Sequence, residues 1–107
     1  GGKIFFAVLG DKIIATVALM PTENELTYEL TKMAVKPKYR NKGIGKKLLN
    51  KCIEFSNYNG YESIILYSNK KLKNAIHLYK LFGFEEIKME TKSPYSRANI
   101  KMIKKLN

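Results

Sequence analysis

One stretch of the chain has residue types and an order that can hold an anion: Val35-Lys36-Pro37-Lys38-Tyr39-Arg40-Asn41-Lys42-Gly43-Ile44-Gly45-Lys46-Lys47-Leu48-Leu49. Glycines at 43 and 45 let a backbone loop curl tightly and admit an anion with no Cβ in the way. The loop leads straight into a helix N-terminus, where unpaired N–H groups and the helix dipole favour negative charge. Seven cations (Lys36, Lys38, Arg40, Lys42, Lys46, Lys47, Lys51) fall between 36 and 51 with no acidic residue among them. Arginine occurs only at 40 and 97, so Arg40 stands out from the lysine background, and its bidentate fork suits phosphate. Together these residues describe a pyrophosphate cradle. Two familiar phosphate loops do not fit: a Walker A motif ending at Gly45-Lys46 needs glycine at 40 and Ser or Thr at 47, and finds Arg40 and Lys47. A dinucleotide fingerprint starting at Gly43 needs glycine at 48 and finds Leu48.

The elements that must carry this loop follow from periodicity. Ile4 to Leu9 and Ile13 to Met20 are strand-like runs on either side of Gly10-Asp11, a hairpin signal. After a polar turn from Pro21 to Glu25, Leu26 to Val35 alternates, with Leu26, Tyr28 and Leu30 on one side and Glu29, Met33 and Val35 on the other. From Gly43 to about Asn57 the apolar spacing becomes helical and ends at Asn59-Gly60. Ser63 to Tyr67 reads as a buried strand, and Lys73 to Phe82 as a second helix stopped by Gly83. Phe84 to Ile87 and Ala98 to Ile103 complete the set as strands, with a turn at Ser93-Pro94 between them. A strand–helix–strand crossover inside an otherwise antiparallel set predicts an α/β (α+β) domain, a mixed sheet with helices packed on it.

Composition sets the outer bounds. The 107 residues suit one domain, and 45% hydrophobic with 27% charged residues reads as globular. No apolar run approaches the roughly 20 residues of a membrane helix, so no membrane-spanning role is expected. The only cysteine, Cys52, excludes an internal disulfide framework, and no metal site is expected; the reducing cytoplasm is the default compartment. Twenty Lys+Arg against nine Asp+Glu give +11, and a domain this basic generally meets an anion: nucleic acid, an acidic membrane or a phosphorylated cofactor.

The loop resembles that of the GNAT superfamily of acyl-CoA-dependent N-acetyltransferases, whose pattern is [QR]-x-x-G-x-[GA], here Arg40-Asn41-Lys42-Gly43-Ile44-Gly45. The resemblance continues on both sides. Glu29 to Val35 is similar to the family's fourth strand, and Ala75-Ile76-His77-Leu78-Tyr79-Lys80-Leu81-Phe82-Gly83-Phe84 carries its A-x-x-L-Y-x-x-x-G-F signature. It covers roughly residues 26 to 87, and the flanking strands fit the same topology. It implies that Met33, Ala34 and Val35 present backbone to the pantetheine of acetyl-CoA on a strand splayed from its neighbour. Arg40, Asn41, Lys42, Gly43, Ile44, Gly45 and Lys46 would hold the pyrophosphate, and Tyr79 would protonate the departing thiolate. Glu29 is the candidate general base for the amine acceptor, expected to share a face with Met33 and Val35. The asparagine common three residues before the signature alanine is Leu72 here; Asn74 or Asn69 can substitute. Cys52 is expected in the core and His77 outward.

The family ordinarily begins with a strand and two helices that wall the acceptor site, and only about ten residues precede the Gly10-Asp11 turn here. The expectation is therefore a single GNAT domain over 1–107, shortened at its N-terminus. The expected reaction is direct acetyl transfer from acetyl-CoA to a primary amine of a small molecule, peptide or protein, with a homodimer left open. Two other readings stand beside it: a basic nucleic-acid-binding domain using the 36–51 run, and an acyl-CoA-binding fold with little catalytic activity. No recognised nucleic-acid motif occurs, which disfavours the first.

Overall fold

The computed structural model describes residues 1–91 and 93–107. Three strands come first: β1 (Lys3–Leu9), β2 (Lys12–Pro21) and β3 (Thr27–Val35). A 3₁₀ turn (Pro37–Tyr39) leads to α1 (Ile44–Tyr58), β4 (Ser63–Ser68), α2 (Lys73–Leu81), β5 (Glu85–Ile87) and β6 (Ile100–Lys105). The order matches the one expected from periodicity. Gly10, at φ +64°, closes the β1–β2 hairpin in the left-handed conformation that glycine adopts without steric cost. The six strands form one sheet in the order β1-β2-β3-β4-β6-β5, parallel only between β3 and β4, where α1 makes the crossover. This is the expected mixed, mostly antiparallel architecture.

Both helices cover one face. Leu49 and Cys52 of α1 and Ile76 and Tyr79 of α2 join Val17, Leu19, Leu30, Ile64, Leu66 and Met102 in a single buried cluster. Fully burying a side chain such as Leu49 or Ile64 contributes roughly 1.5–3 kcal/mol. The other face is covered only in part. The connection between β5 and β6 crosses it, tied by hydrogen bonds from Tyr67 to Glu90 and from Tyr95 to Glu29. Towards β1 the same face leaves Ile4 and Phe6 about half exposed, at 48% and 53%. Among the described residues, no helix is long and apolar enough to cross a membrane.

One expectation fails, for a local reason. Glu29 does not share a face with Met33 and Val35. The β2–β3 register slips between Thr16 and Ala18, so that Lys32 and Met33 together oppose Val17. Lys32 sits at φ +56°, the left-handed geometry of a bulge residue. The extra residue inverts the alternation: Met33 and Val35 turn onto the helix-covered core with Tyr28 and Leu30, while Glu29 stays on the opposite face. Strict period-two counting from Leu26 could not register that insertion.

Candidate functional site

β3 and β4 part company early. They pair only at Thr27–Ser63, Tyr28–Ile64 and Glu29–Ile65, although β3 runs on to Val35 and β4 to Ser68. Beyond Glu29, β3 pairs with β2 alone, so one edge of its backbone around Met33, Ala34 and Val35 faces a wedge-shaped gap. This is the splay expected of that strand. The bulge at Lys32 adds local twist at the same place.

The wide end of the gap leads to the N-terminus of α1. Gly43 is the N-cap at φ +81°, ψ 6°, with no side-chain cap and no acidic residue in the first turn. The first intrahelical bond closes from Lys47 N–H to the Gly43 carbonyl at 3.1 Å, which leaves the amides of Ile44, Gly45 and Lys46 without an intrahelical acceptor. A Cβ on Gly43 would meet nothing within 4 Å, so this side of the loop is open. Asn41 is also left-handed, at φ +62°. Lys42, Lys46 and Lys47 are exposed around the opening. Uncapped amides, a dipole and exposed lysines make a seat for a phosphate group.

Two residues of the motif do something the sequence does not disclose. Arg40 turns back, its Nε donating to the Val35 carbonyl at 2.9 Å, and so fixes the loop to the end of β3. Gly45 faces α2: a Cβ there would lie 3.5 Å from Leu78 Cδ2. At that ordinary van der Waals distance a methyl group would fit, and the contact places the turn of α2 bearing Leu78 and Tyr79 beside this end of α1.

Tyr79 is buried, with 7% of its surface exposed, and its ring meets Phe84 edge-on at 5.8 Å. Burial pushes its hydroxyl pKa above the ordinary value, which keeps the proton on the oxygen at neutral pH. Among the described residues the hydroxyl has no hydrogen-bond partner, yet it is not sealed off, since no fully buried side-chain polar atom lacks one. A protonated, unengaged hydroxyl can serve as a proton donor. Asn74 lies exposed in the first turn of α2. Asn69 is engaged, donating to the Arg97 carbonyl at 2.7 Å and accepting from Lys71 N–H at 2.9 Å. Of the two asparagines, Asn74 is the one free to meet a ligand. Cys52 is fully buried with its thiol pushed up to about 12, and His77 is exposed, as expected for both.

Glu29 stands at the last β3–β4 pair, on the face opposite Tyr79. It lines an open groove of about 610 Å³ together with Thr27, Ser63, Ile65, Tyr67 and Glu90. Tyr95 donates to Glu29 Oε2 at 2.5 Å, and that bond, with burial, raises the Tyr95 pKa. Glu29 and Tyr79 therefore lie on opposite faces of the sheet, either side of the point where β3 and β4 part. Tyr67, Glu90 and Lys101 line the rest of the groove, Tyr95 holds Glu29 without lining it, and sequence reasoning did not find these four. Tyr95 lies 66 residues from Glu29, and no local motif links them. The single available signal was Lys101, a polar position on the same side of its alternating strand as Ile103.

A mixed sheet that splits between β3 and β4 thus carries an uncapped, glycine-led helix start at the split. The chain belongs to the acetyltransferase (GNAT) domain family, which it matches over residues 1–86. It is 39% identical over 88 residues to an N-acetylaspartate synthetase from Xenopus tropicalis, covering 81% of this chain and 32% of that protein. The chain thus spans about a third of the length of that curated relative. In three dimensions it is similar to a GNAT-family acetyltransferase from Staphylococcus aureus Mu50, with TM-score 0.90 and 30% identity, covering 100% of this chain and 69% of that one. The PaiA N-acetyltransferase of Thermoplasma acidophilum, in complex with coenzyme A, shares the fold at TM-score 0.79 and 23% identity, covering 97% and 60% of the two chains.

Proposed function

We propose that the chain transfers an acetyl group from acetyl-CoA directly to a primary amine. The observation that carries this is the conjunction of the split between β3 and β4 with the uncapped N-terminus of α1 at Gly43. When bound, acetyl-CoA supplies an activated acyl carbonyl and a thiolate leaving group. The amides of Ile44, Gly45 and Lys46, with Asn41, Lys42 and Lys46 around them, hold the pyrophosphate; Arg40 keeps the loop in shape. The free backbone edge at Met33, Ala34 and Val35 lines the pantetheine arm, with Asn74 across the gap. The coenzyme A complex of the Thermoplasma relative, which has the same fold, supports this choice of ligand.

Glu29 accepts the proton of the acceptor ammonium on the groove side, directly or through one water. The freed nitrogen attacks through the gap, the C–S bond breaks as Tyr79 delivers its proton to the departing sulfur from the helix side, and the second proton shed by the nitrogen returns to Tyr79 through solvent. The two proton steps take place on opposite faces of the sheet, so Glu29 and Tyr79 do not neutralise each other. The Xenopus relative is named for making N-acetylaspartate, which is consistent with amine acetylation. The buried thiol of Cys52 suits a reducing compartment, the cytoplasm. We take residues 1–107 as one domain.

Calorimetry with acetyl-CoA tests the reading. Binding at tens of micromolar or tighter is expected, and its absence overturns the assignment. A second reading, acyl-CoA binding with slow turnover, draws on the half-exposed Ile4 and Phe6, which leave the acceptor side thinly walled. Normal acetyl-CoA binding without turnover of any amine selects it.

A further inference from the structure

Two tyrosine–glutamate pairs built alike meet at the groove on the second face, which Tyr67, Glu90 and Glu29 line and Tyr95 does not. Tyr67 donates to Glu90 Oε2 at 2.6 Å, and Tyr95 donates to Glu29 Oε2 at 2.5 Å. The two rings meet edge-on at 5.5 Å. One pair already receives an alkylammonium from within the chain. Lys101 brings Nζ to 3.2 Å from Glu90 Oε1 and 5.3 Å from the centre of the Tyr67 ring, with 17% of its side chain exposed. Burial alone lowers the Lys101 pKa, yet hydrogen bonds to Tyr67 and Glu90 outweigh it and raise the pKa overall. An aromatic wall beside a carboxylate is here a working seat for a charged ammonium.

Glu29 and Tyr95 repeat the arrangement without an internal cation: among the described residues, no Lys, Arg or His nitrogen lies within ion-pair distance of Glu29. At the floor, the hydroxyls of Thr27 and Ser63, both over nine-tenths buried, share one hydrogen bond of 2.8 Å. One bond uses one of their two hydrogens, so the floor retains hydrogen-bonding capacity towards the groove. The lining carries Glu23, Glu29 and Glu90 against Lys101, three negative charges to one positive, on a chain whose net charge is +11. Among the described residues, the groove's lining offers an entering carboxylate no unpaired cation.

We propose that the groove selects as acceptor an unbranched primary alkylamine, seated as its ammonium against the Glu29 carboxylate that Tyr95 holds, and rejects acidic amino acids. The proposal rests on the acetyl-transfer reading and narrows its acceptor to the kind of chain that Lys101 itself presents. Glu23 at the rim adds attraction for a second positive charge. A free diamine and a lysine side chain both carry the required chemistry.

The test begins with calorimetry of acetyl-CoA, then titrates n-pentylamine, 1,4-diaminobutane, Nα-acetyl-lysine amide and aspartate into the protein saturated with coenzyme A. Acetyl-CoA consumption is followed with the same four compounds. Alkylamines should bind, and should exceed aspartate in kcat/KM on the order of 100-fold, since facing like charges costs several kcal/mol. The ranking of the diamine against the lysine amide distinguishes the two sources. Glu29→Gln should weaken alkylamine binding roughly tenfold or more, the loss expected for a hydrogen bond to a charged group. Aspartate equal to or better than the alkylamines, no alkylamine binding, or unchanged binding to Glu29→Gln overturns the proposal while acetyl-CoA binding stands. Failure of acetyl-CoA itself to bind marks instead the failure of the transfer reading, and this proposal falls with it.

Discussion

Replacing Gly43 by alanine separates the folding role of the loop from its ligand role. Gly43 sits at φ +81°, ψ 6°, where an L-residue is strained by about 1–2 kcal/mol. Alanine recovers part of this, about 0.4–1 kcal/mol, by restricting the unfolded chain. A Cβ at this position touches nothing within 4 Å, so no clash adds to the strain. The net loss is about 1 kcal/mol, and at the usual unfolding entropy per residue it lowers Tm by roughly 4–5 °C. The variant should therefore stay folded. That same Cβ projects into the space an anion must cross to reach the amides of Ile44, Gly45 and Lys46. Acetyl-CoA affinity should fall at least tenfold, about 1.4 kcal/mol. Gly45→Ala is the matched control. Its Cβ meets only Leu78 Cδ2, at an ordinary 3.5 Å, and alanine favours the helix by up to about 1 kcal/mol. Its Tm should hold or rise, with acetyl-CoA affinity within about threefold of the parent, well short of the tenfold step of Gly43→Ala. Scanning calorimetry reads the first quantity and titration calorimetry the second. A folded Gly43→Ala protein that binds acetyl-CoA as tightly as the parent would refute the pyrophosphate seat.

Other consequences are as direct. Tyr79→Phe should cut kcat about tenfold, below the usual range of about 100-fold or more for general acid catalysis because a thiolate leaves readily, with little change in KM for acetyl-CoA; steady-state kinetics showing an unchanged kcat would remove the acid role. Lys32→Val, forcing a β-branched residue into φ +56°, should cost about 2 kcal/mol in urea melts, whereas Lys32→Gly should be neutral or stabilising. The Cys52 thiol is raised from 9.0 to about 12 by burial, so the folded state holds its proton more tightly than the unfolded chain. Stability is then fully present below pH 9 and falls as pH rises towards 12, by about 1 kcal/mol between pH 8 and 10, a slope Cys52→Ala should remove. Glu90 is lowered from 4.5 to about 2, first by the Tyr67 hydroxyl. Its hold on the connection between β5 and β6 should persist above pH 4.5 and weaken as pH falls towards 2, visible as a change in Tyr67 absorbance that Glu90→Gln abolishes.

The geometry of the proposed donor half was legible in the chain because it is local. Gly43, the helix it caps and the cations around it lie within a dozen residues, and glycine's access to positive φ is a property of the residue itself. The acceptor half was not legible. Glu29 was picked out as a candidate, but its face was misjudged, because a bulge at Lys32 changes strand parity without changing composition. Tyr95, Tyr67, Glu90 and Lys101 meet Glu29 only where the connection between β5 and β6 folds back over the sheet. Gly45 illustrates the same divide: its type was evident, but that it faces Leu78 of α2 was not.

What the sequence determined alone was the order of elements, the class of fold and the uncapped, lysine-flanked helix start proposed to hold an anion, all set by short-range periodicity and by what glycine, lysine and a helix terminus do wherever they occur. The tertiary structure decided which faces the two candidate proton carriers occupy, that Arg40 and Asn69 hold loops in place, and what charge surrounds the acceptor. Those depend on register and on contacts between residues far apart in the chain, and a one-residue bulge is enough to reverse them.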